Sequence, residues 1–493
     1  MFCHLHIHNE FSILDGYGSA KKYLTRTKEL GQEYLALTNH GNIDGLIKFQ
    51  KAADEIGIKP ILGCELYIVT DSSIKIPKEK KFHVTVLIKN ETGFQNLCKI
   101  LTDANLNGFY YKPRANFNTV LKWSEGLVFL TGCGSSPLTT EEGMDFISSL
   151  AIKNQGDVYL EVMPHLLDDQ VELNKLCYEL SLDKEFRLQL VATNDCHYIN
   201  EEDNLIQEVL LAIQTKAKWD DPKRFCFAEK TLFLRSEQEM KDAFKKQSVL
   251  SENNYCQAID NTIDIAKKCC DFRIAKQNIY LPKVDTQDID ENDYLWQLCL
   301  DGYERLFNSD ISENKIYLER INEEFNLIKK KGFIRYFLIV NEIVSWCHKN
   351  DIMTGPGRGS VGGSLIAYLL GITSIDPIKY NLLFSRFIDE NRTDFPDIDI
   401  DFEDIKRPLI RGHLEQLYDK NNISSISTFM NMKGRASIRD VARVFDISND
   451  EVDTFAKTIF DEENSDSAIQ IALLSEEGKR FQRKYPNLVD IAI

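Results

Sequence analysis

HLHIHNEFSILDG, residues 4–16, decides how the first half of the chain is read. Apolar residues alternate with histidine through CHLHIH, which predicts a strand. On a strand His6 and His8 are two apart and share a face, and Asp15 follows in ILDG. Outward from there, short apolar runs alternate with helical patterns as far as residue 200. YLALTNH, KPILGCELYIV, FHVTVLI, GLVFLTGC, DVYLEV and LQLVATND read as strands. SAKKYLTRTKEL, DGLIKFQKAADEIG and TGFQNLCKILTDA read as the helices between them. That alternation predicts an α/β unit with mostly parallel strands, arranged as a barrel. His40 closes the first of these runs, Cys133 closes GLVFLTGC, and Asp195 and His197 close LVATNDCH; Glu65 and His83 lie in GCELYI and FHVTVLI.

Most of these residues stand at the carboxyl ends of predicted strands, where barrel enzymes carry their sites. His6, His8, Asp15, His40, Glu65, His83, Cys133, Asp195 and His197 together offer five imidazoles, three carboxylates and one thiolate. This N/O/S mixture suits zinc, manganese or iron, and it is too many donors for one ion. A cluster of two or three metals that activates water for phosphoester hydrolysis fits it. A lone buried histidine is more often structural than a ligand, and Cys133 alone would read as core. The weight comes from nine metal-competent residues in one pattern.

Composition narrows the class. With 43% hydrophobic residues, 28 Phe and 19 Tyr, the 493-residue chain has ample material for packed cores and is not a disordered tail. Its length suggests two to four domains. No apolar run approaches a membrane span. MFCHLHIHNEF lacks the basic and apolar regions of a signal peptide. Twelve scattered Cys without a CxxC pair read as reduced thiols of a cytoplasmic protein. A net charge of -17 argues against indiscriminate coating of nucleic acid, though local basic clefts remain compatible with it.

The second half carries a different pattern. Five of the 25 glycines fall within GPGRGSVGGS, residues 355–364, which runs into the apolar LIAYLLGI. A Gly-rich loop at a helix start can hold phosphate oxygens on backbone N–H groups. Arg358 adds a cation, and Ser360 and Ser364 add hydroxyls. A tight turn is the plain alternative. FPDIDIDFED follows at 395–404, and on a strand Asp397, Asp399 and Asp401 share one face. Carboxylates so spaced can converge on two Mg²⁺ ions for phosphoryl transfer. An acidic strand edge or a calcium loop is the alternative, but alternation with Ile and Phe does not suit an EF-hand.

HLHIHNEFSILDG, ALTNHGNIDGLIKF, KPILGCELYI, GLVFLTGC and VATNDCHYI resemble the polymerase-and-histidinol-phosphatase (PHP) domain. The version they resemble stands at the N-terminus of bacterial C-family replicative DNA polymerases, the DNA polymerase III alpha subunits. The nine residues match that domain's ligand positions, so the resemblance implies an intact Zn²⁺ or Mn²⁺/Fe²⁺ cluster and a 3′–5′ exonuclease. Asn39 departs from the pattern, since an acidic residue often precedes the histidine. From KKGFIRYF to DFPDIDIDF, residues 330–402, the chain is similar to the palm of the same family. The resemblance implies that Asp399 and Asp401 hold catalytic Mg²⁺, with Asp397 in support. It also implies that Gly357, Arg358, Gly359, Ser360, Gly363 and Ser364 contact the incoming dNTP. Arg386 and Arg392 are candidates to neutralise its triphosphate; a surface cation is the plain reading of each. FMNMKGRASIRDVARVF, residues 429–445, resembles the start of the thumb. Arg435, Arg439 and Arg443 are four apart and share a helix face; with Lys433 they are candidates to contact primer–template DNA.

The implied architecture is a PHP distorted (β/α) barrel over 1–272, an incomplete polymerase-beta-like palm over 273–432 and a partial helical thumb over 433–493. The family's third catalytic aspartate, fingers and later regions have no counterpart in the sequence. The expectation is therefore a polymerase N-terminal part that needs a second polypeptide to work, with other replisome subunits as further candidate partners. The alternative is a stand-alone PHP phosphoesterase or exonuclease whose palm is a non-catalytic scaffold.

Overall fold

A computed structural model describes all residues except 78–79, 184–187, 276–278, 310–313, 392–393 and 461–464. The chain divides into two compact units, Met1–Ala275 together with Met430–Ile493, and Lys276–Phe429.

The first unit is organised by seven strands: β1 Tyr34–Leu37, β2 Lys59–Val69, β3 Phe82–Ile88, β4 Arg114–Asn116, β5 Leu127–Leu130, β6 Val158–Val162 and β7 Gln189–Ala192. They form one sheet in the order β1-β2-β3-β5-β6-β7, with β4 beside β2. Pairing is parallel except where β3 runs antiparallel to β2 and to β5. The sheet curls, and residues 4–8 span its two ends. Ala36 N donates to the His4 carbonyl at 3.0 Å, and Cys196 N donates to that of His6 at 3.1 Å. CHLHIH is thus extended, as its alternation predicts, but makes only the isolated bridges His4–Leu35 and Ile7–Cys196. Its pairing is too sparse to be a regular strand. The result is the distorted barrel.

The strands read as near-continuous apolar runs because both faces are covered; ten of the eleven residues of β2 are buried. Alternate residues enter two different cores. Leu35, Leu62, Cys64 and Leu66 join one large cluster. Tyr34, Ala36, Ile61, Leu87, Val128 and Val191 join another, under helix Glu252–Cys269. Period 2 then puts Glu65 on the face of Ile61, and Glu161 on the face of Tyr159. This alternation positions the site described below.

Helix Gly434–Val444 and the helices after it belong to the same compact unit. Ile438, Val441 and Val444 pack with Val209, Ala212 and Ile213 of helix Asn204–Thr215. Burial of these apolar stripes, with Trp219 N donating to the Val444 carbonyl at 2.7 Å, holds the C-terminal segment there.

The second unit is helical. Glu291–Phe307, Lys315–Lys331 and Ile334–Lys349 pack around Leu295, Phe337 and Leu365. Among its described residues no strand forms. The segment of Asp397, Asp399 and Asp401 is extended but pairs only around the antiparallel bridge Thr354–Phe402. Gly355 N donates to the Asp401 carbonyl at 2.9 Å, and Glu403 N to that of Met353 at 3.1 Å. A strand needs a ladder, and this segment has one short partner. Among the described residues of both units, no helix is long and apolar enough to cross a membrane.

Candidate metal centre and the acidic loop

Eight of the nine candidate ligands in the first unit are joined by short contacts around one buried point. Glu65, only 1% exposed, is its hub. Its two carboxylate oxygens lie 3.4 Å from His6 Nε2, 3.6 Å from His8 Nε2 and 3.0 Å from His83 Nδ1, and the closest contact is with His40 Nδ1. Asp195 Oδ1 is 3.3 Å from His6 Nε2 and 3.2 Å from His8 Nε2. Asp15 joins His40 Nε2 at 3.1 Å and faces His197 Nε2 at 3.8 Å. The rings of His40 and His197 both stack against His8, at 4.0 and 4.5 Å, and lie 5.6 Å from each other. Cys133 enters through its electrostatic coupling to Asp195 and Glu65.

The test of fit to metal ions lies in what these atoms lack. His6 Nε2, His8 Nε2, His40 Nδ1, His197 Nε2, Asp15 Oδ1, Glu65 Oε2 and Asp195 Oδ1 are all buried without a hydrogen-bond partner. A buried polar atom left unpaired costs about 1–3 kcal/mol. Seven of them in one spot form a donor set for cations. Three triads, His8–His40–His197, His6–His8–Asp195 and His40–Glu65–His83, each bring their donor atoms within 4.8 Å of one another. The donor set fits more than one ion.

Protonation follows from the crowding. Burial, reinforced by His40 and His197, lowers the His8 pKa to about 3 and keeps its ring neutral. Burial alone would raise the Asp15 carboxyl, but the His40 hydrogen bond and the charge of His197 bring it down to about 2. Burial acts the same way on Glu65 and Asp195, and the histidines overrule it and hold both well below the usual carboxylate range. On His40 burial opposes the charge, but Glu65 and Asp15 raise the pKa to about 10. Burial, then Asp195 and Glu65, push the Cys133 thiol up. A bound cation reverses that last effect.

The supporting residues were not evident from sequence. Glu161, fully buried in β6, meets His6 Nδ1 at 2.8 Å and accepts from Thr193 Oγ1 at 2.7 Å and from Gly132 N at 2.8 Å. It fixes the His6 ring with Nε2 facing the centre. Its only signal is one acid in the apolar run VYLEV. Ser12 Oγ, 3.0 Å from His8 Nδ1, orients that ring, and it donates to Asn39 Oδ1 at 2.9 Å. Asn39 is therefore part of the support: it also accepts from Asn9 N at 3.0 Å. Two other histidines stay outside the cluster. His4 Nε2 meets the Arg235 backbone, and His165 Nε2 lies 3.3 Å from Asn194 Oδ1.

In the second unit the glycine loop and the aspartates meet. Arg358 Nη1 lies 3.2 Å from Asp399 Oδ2, and its Nε lies 3.3 Å from Asp401 Oδ1. A Cβ on Gly355 would come 3.1 Å from that of Asp401, and one on Gly359 would come 3.7 Å from Asp399 Oδ2. Asp399 and Asp401 thus converge on one cationic group, the guanidinium. Asp397 and Ser360 line a small cavity of about 150 Å³ beside them. Gly357 takes φ +97°, a conformation that favours glycine. Ser364 is buried: its Oγ donates to Glu324 Oε2 at 2.9 Å and accepts from Ala367 N at 3.1 Å. Gly363 packs under the Leu383 carbonyl, where a Cβ would come within 2.5 Å. Arg386 is exposed on the short turn Phe384–Arg386, and Arg392 lies outside the described residues.

Glu324 is the residue that sequence reading missed here. Fully buried, it accepts from Arg320 Nε at 2.6 Å and from the backbone of Leu365 and Ile366 at 2.9 and 3.1 Å. It anchors the helix start that follows the glycine loop. Its signal was a glutamate on the apolar stripe of INEEFNLIKKKG, between Ile321 and Ile328.

The four basic residues of the C-terminal segment lie at helix Gly434–Val444. Lys433 is exposed at its start. Arg435 Nε donates to the Ile459 carbonyl at 2.6 Å, while Arg439 pairs with Asp453 at 2.9 Å and Arg443 with Asp440 at 3.1 Å.

Sequence comparison now bears on these two sites. The PHP domain family matches residues 4–165, and the bacterial DNA polymerase III alpha NTPase domain family matches residues 293–492. DNA polymerase III subunit alpha of Borreliella burgdorferi is 36% identical over 473 residues, 93% of this chain and 40% of that protein. The chain is related to the bacterial DNA polymerase III alpha subunits over nearly its whole length. The Treponema pallidum subunit is 36% identical over 94% of this chain and 39% of its own length. The chain spans about two fifths of these curated relatives. An amidohydrolase structure from Chromobacterium violaceum covers 41% of this chain and 89% of its own, at 15% identity and a TM-score of 0.29, too low to bear on the fold.

Proposed function

We propose that the chain is the N-terminal region of a DNA-directed DNA polymerase, with a metal-dependent 3′–5′ exonuclease in its PHP domain. The reading rests on the relation to DNA polymerase III alpha subunits over 93% of the chain, supported by the meeting of the glycine loop with Asp399 and Asp401. Asp399 and Asp401 would hold Mg²⁺ once Arg358 releases them, and Arg358 would then be free to meet the triphosphate. The exposed pairs it makes cost little to break. Gly357, Gly359 and Ser360 would leave room for phosphate oxygens, while Ser364 and Gly363 would act through the fold. Arg386 and Arg392 would offer further positive charge, and Lys433, Arg435, Arg439 and Arg443 would meet primer–template DNA by exchanging their present partners. The remaining polymerase segments, in the same or a second polypeptide, would complete the site, in a cytoplasmic replisome. Asp401→Asn should abolish primer extension by the assembled polymerase and leave the metal content of the PHP domain unchanged. Undiminished extension sinks this reading.

In the PHP domain, His6, His8, Asp15, His40, Glu65, His83, Cys133, Asp195 and His197 would hold a cluster of Zn²⁺, Mn²⁺ or Fe²⁺. When bound, such ions polarise a phosphoryl oxygen and lower the pKa of water. Glu161 and Ser12 keep the rings of His6 and His8 turned to the centre. Burial keeps the donors out of bulk water and His8 neutral. His40, whose pKa is raised, can carry a proton at the mouth until a cation or a substrate displaces it.

A second reading is favoured by the contrast in construction, because among the described residues seven buried atoms without a hydrogen-bond partner gather at the PHP centre, whereas the side chains of Asp399 and Asp401 are exposed and pair with Arg358. The chain would then be a phosphoesterase whose second unit is a scaffold. It expects the isolated chain to trim 3′ ends, His8→Ala to stop it, and Asp401→Asn to leave it intact. A metal-loaded chain with no nuclease or phosphatase activity ends this reading.

A further inference from the structure

The segment between helix Asn204–Thr215 and residue 231 is not used by either site. It reads KAKWDDPKRFCFAEK, residues 216–230, and carries five cations against three acids in a chain whose net charge is -17. Two of its side chains form a path of rings leading away from the metal centre. Phe227 lies 4.9 Å from the ring of His197, tilted at 59°. Phe225 meets Phe227 edge-on at 5.7 Å and is 53% exposed. A single exposed phenylalanine needs no explanation. One joined through a second ring to a candidate metal ligand is different, because a group stacked on it lies three ring spacings from His197 along a continuous path.

The part of the centre around His40 and His83 carries charge. Tyr67 lies 5.6 Å from the ring of His40 and 5.0 Å from that of His83. The ammonium of Lys112 stands 5.4 Å above the Tyr67 ring. The mouth therefore has an apolar ring on the His197 side and a cation on the His40–His83 side. Lys223, exposed in the same segment as Phe225, adds a second cation.

An aromatic face beside a cation is how proteins hold single-stranded nucleic acid without reading its sequence: the base stacks and the phosphate is neutralised. A free phosphate or a small phosphomonoester would use the cation and leave the rings idle. We infer that Phe225, backed by Phe227, is a stacking platform for the terminal base of a single DNA strand, and that Lys112 neutralises the phosphate delivered to the metal centre. This deepens the phosphodiesterase reading and rests on it for the fate of the strand. The platform itself is a binding claim. It makes the site indifferent to which base is terminal and demanding that there be one.

The experiment measures binding by fluorescence anisotropy of a short 5′-labelled oligodeoxythymidylate, with the full chain in Mn²⁺ and a phosphorothioate at the 3′-terminal linkage to slow cleavage. Phe225→Ala should weaken binding about fivefold or more, and Phe225→Trp should retain it. An oligonucleotide lacking only its 3′-terminal base should bind wild type as weakly as the intact one binds Phe225→Ala. Phe225→Ala itself should not tell the two oligonucleotides apart. Lys112→Ala should weaken both equally and flatten the salt dependence. Equal binding of the intact and base-less strands by wild type overturns the platform. So do losses that multiply when both ring and base are removed, or no binding by wild type at low salt. Tight, base-dependent binding, with no hydrolysis of the same oligonucleotide carrying an ordinary 3′-terminal phosphodiester in Mn²⁺, would instead sink the exonuclease reading and leave the platform standing.

Discussion

Glu65 is 1% exposed and touches four histidines, whereas the side chain of Asp401, in the other unit, is 65% exposed and meets one arginine. Both are acids in motifs that sequence marks as cation sites. Around Glu65 the barrel has already removed water and left donor atoms unpaired, so desolvation is met in folding and a cation would gain strong contacts. Asp399 and Asp401 are solvent-exposed, share the single cation of Arg358, and have their backbone held on one edge by a short bridge. The first site is built by its own scaffold. The second has its residues assembled but exposed.

The largest expected consequence is the response to metal. Removing metal by chelation and restoring Mn²⁺ should load about two to three ions and raise the unfolding free energy of the PHP-containing unit by about 4 kcal/mol for each ion at a thousandfold excess over its Kd. Elemental analysis and calorimetry measure both. Glu65→Ala should lower the count, and Asp399→Asn with Asp401→Asn should not. A count of one ion or fewer, or equal loss from both sets, breaks the contrast.

The second unit should respond instead at Glu324. Glu324→Ala leaves Arg320 and two backbone N–H groups without their buried acceptor. We expect a loss of about 3 kcal/mol in the transition of that unit, with metal content unchanged. A loss confined to the first unit's transition would contradict the assignment of this buried pair.

Acid should act on the first unit through His4. Burial chiefly lowers its pKa from 6.5 to about 4, while hydrogen bonding to the Arg235 backbone opposes the shift. The unfolded chain therefore takes up a proton that the folded chain refuses. The His4 contribution to stability is unaltered above about pH 6.5 and falls as pH drops from 6.5 to 4, by roughly 3 kcal/mol in all. Denaturant titration of wild type and His4→Gln across that window measures it as a shrinking difference. A constant difference would show that the pKa is not depressed.

Arg358 should show the smallest effect on stability. Its pairs are exposed, so Arg358→Ala should change the second unit by less than about 1 kcal/mol. A larger loss would mean that the acidic loop is held by its ion pairs and would narrow the contrast with the PHP centre.

Much of this was legible in the chain itself. The run KPILGCELYIV became β2 over its full length, and FHVTVLI became β3, because both are short, mostly apolar runs and the second is rich in β-branched and aromatic residues. Positions just beyond strand ends sufficed to gather His40, Asp195 and His197, since a barrel's common rim brings such residues together, while Glu65 reaches them from within β2 through its period of 2. Glu161 and Glu324 were not legible. Each is a lone acid in an apolar pattern, where sequence cannot tell a mismatch from an anchor until a partner is known. The strand expected for Asp397–Asp401 is extended without a ladder, because extension is local but pairing belongs to another segment.

By itself, then, the sequence determined the α/β alternation, the donor types and the two motifs, because periodicity and side-chain chemistry are properties of neighbours along the chain. Only the tertiary structure decided which atoms are left unpartnered, which acids are already neutralised, and that helix Gly434–Val444 packs on helix Asn204–Thr215. Those depend on contacts between residues up to hundreds of positions apart, and burial, which sets the strength of every charge here, exists only once such contacts have formed.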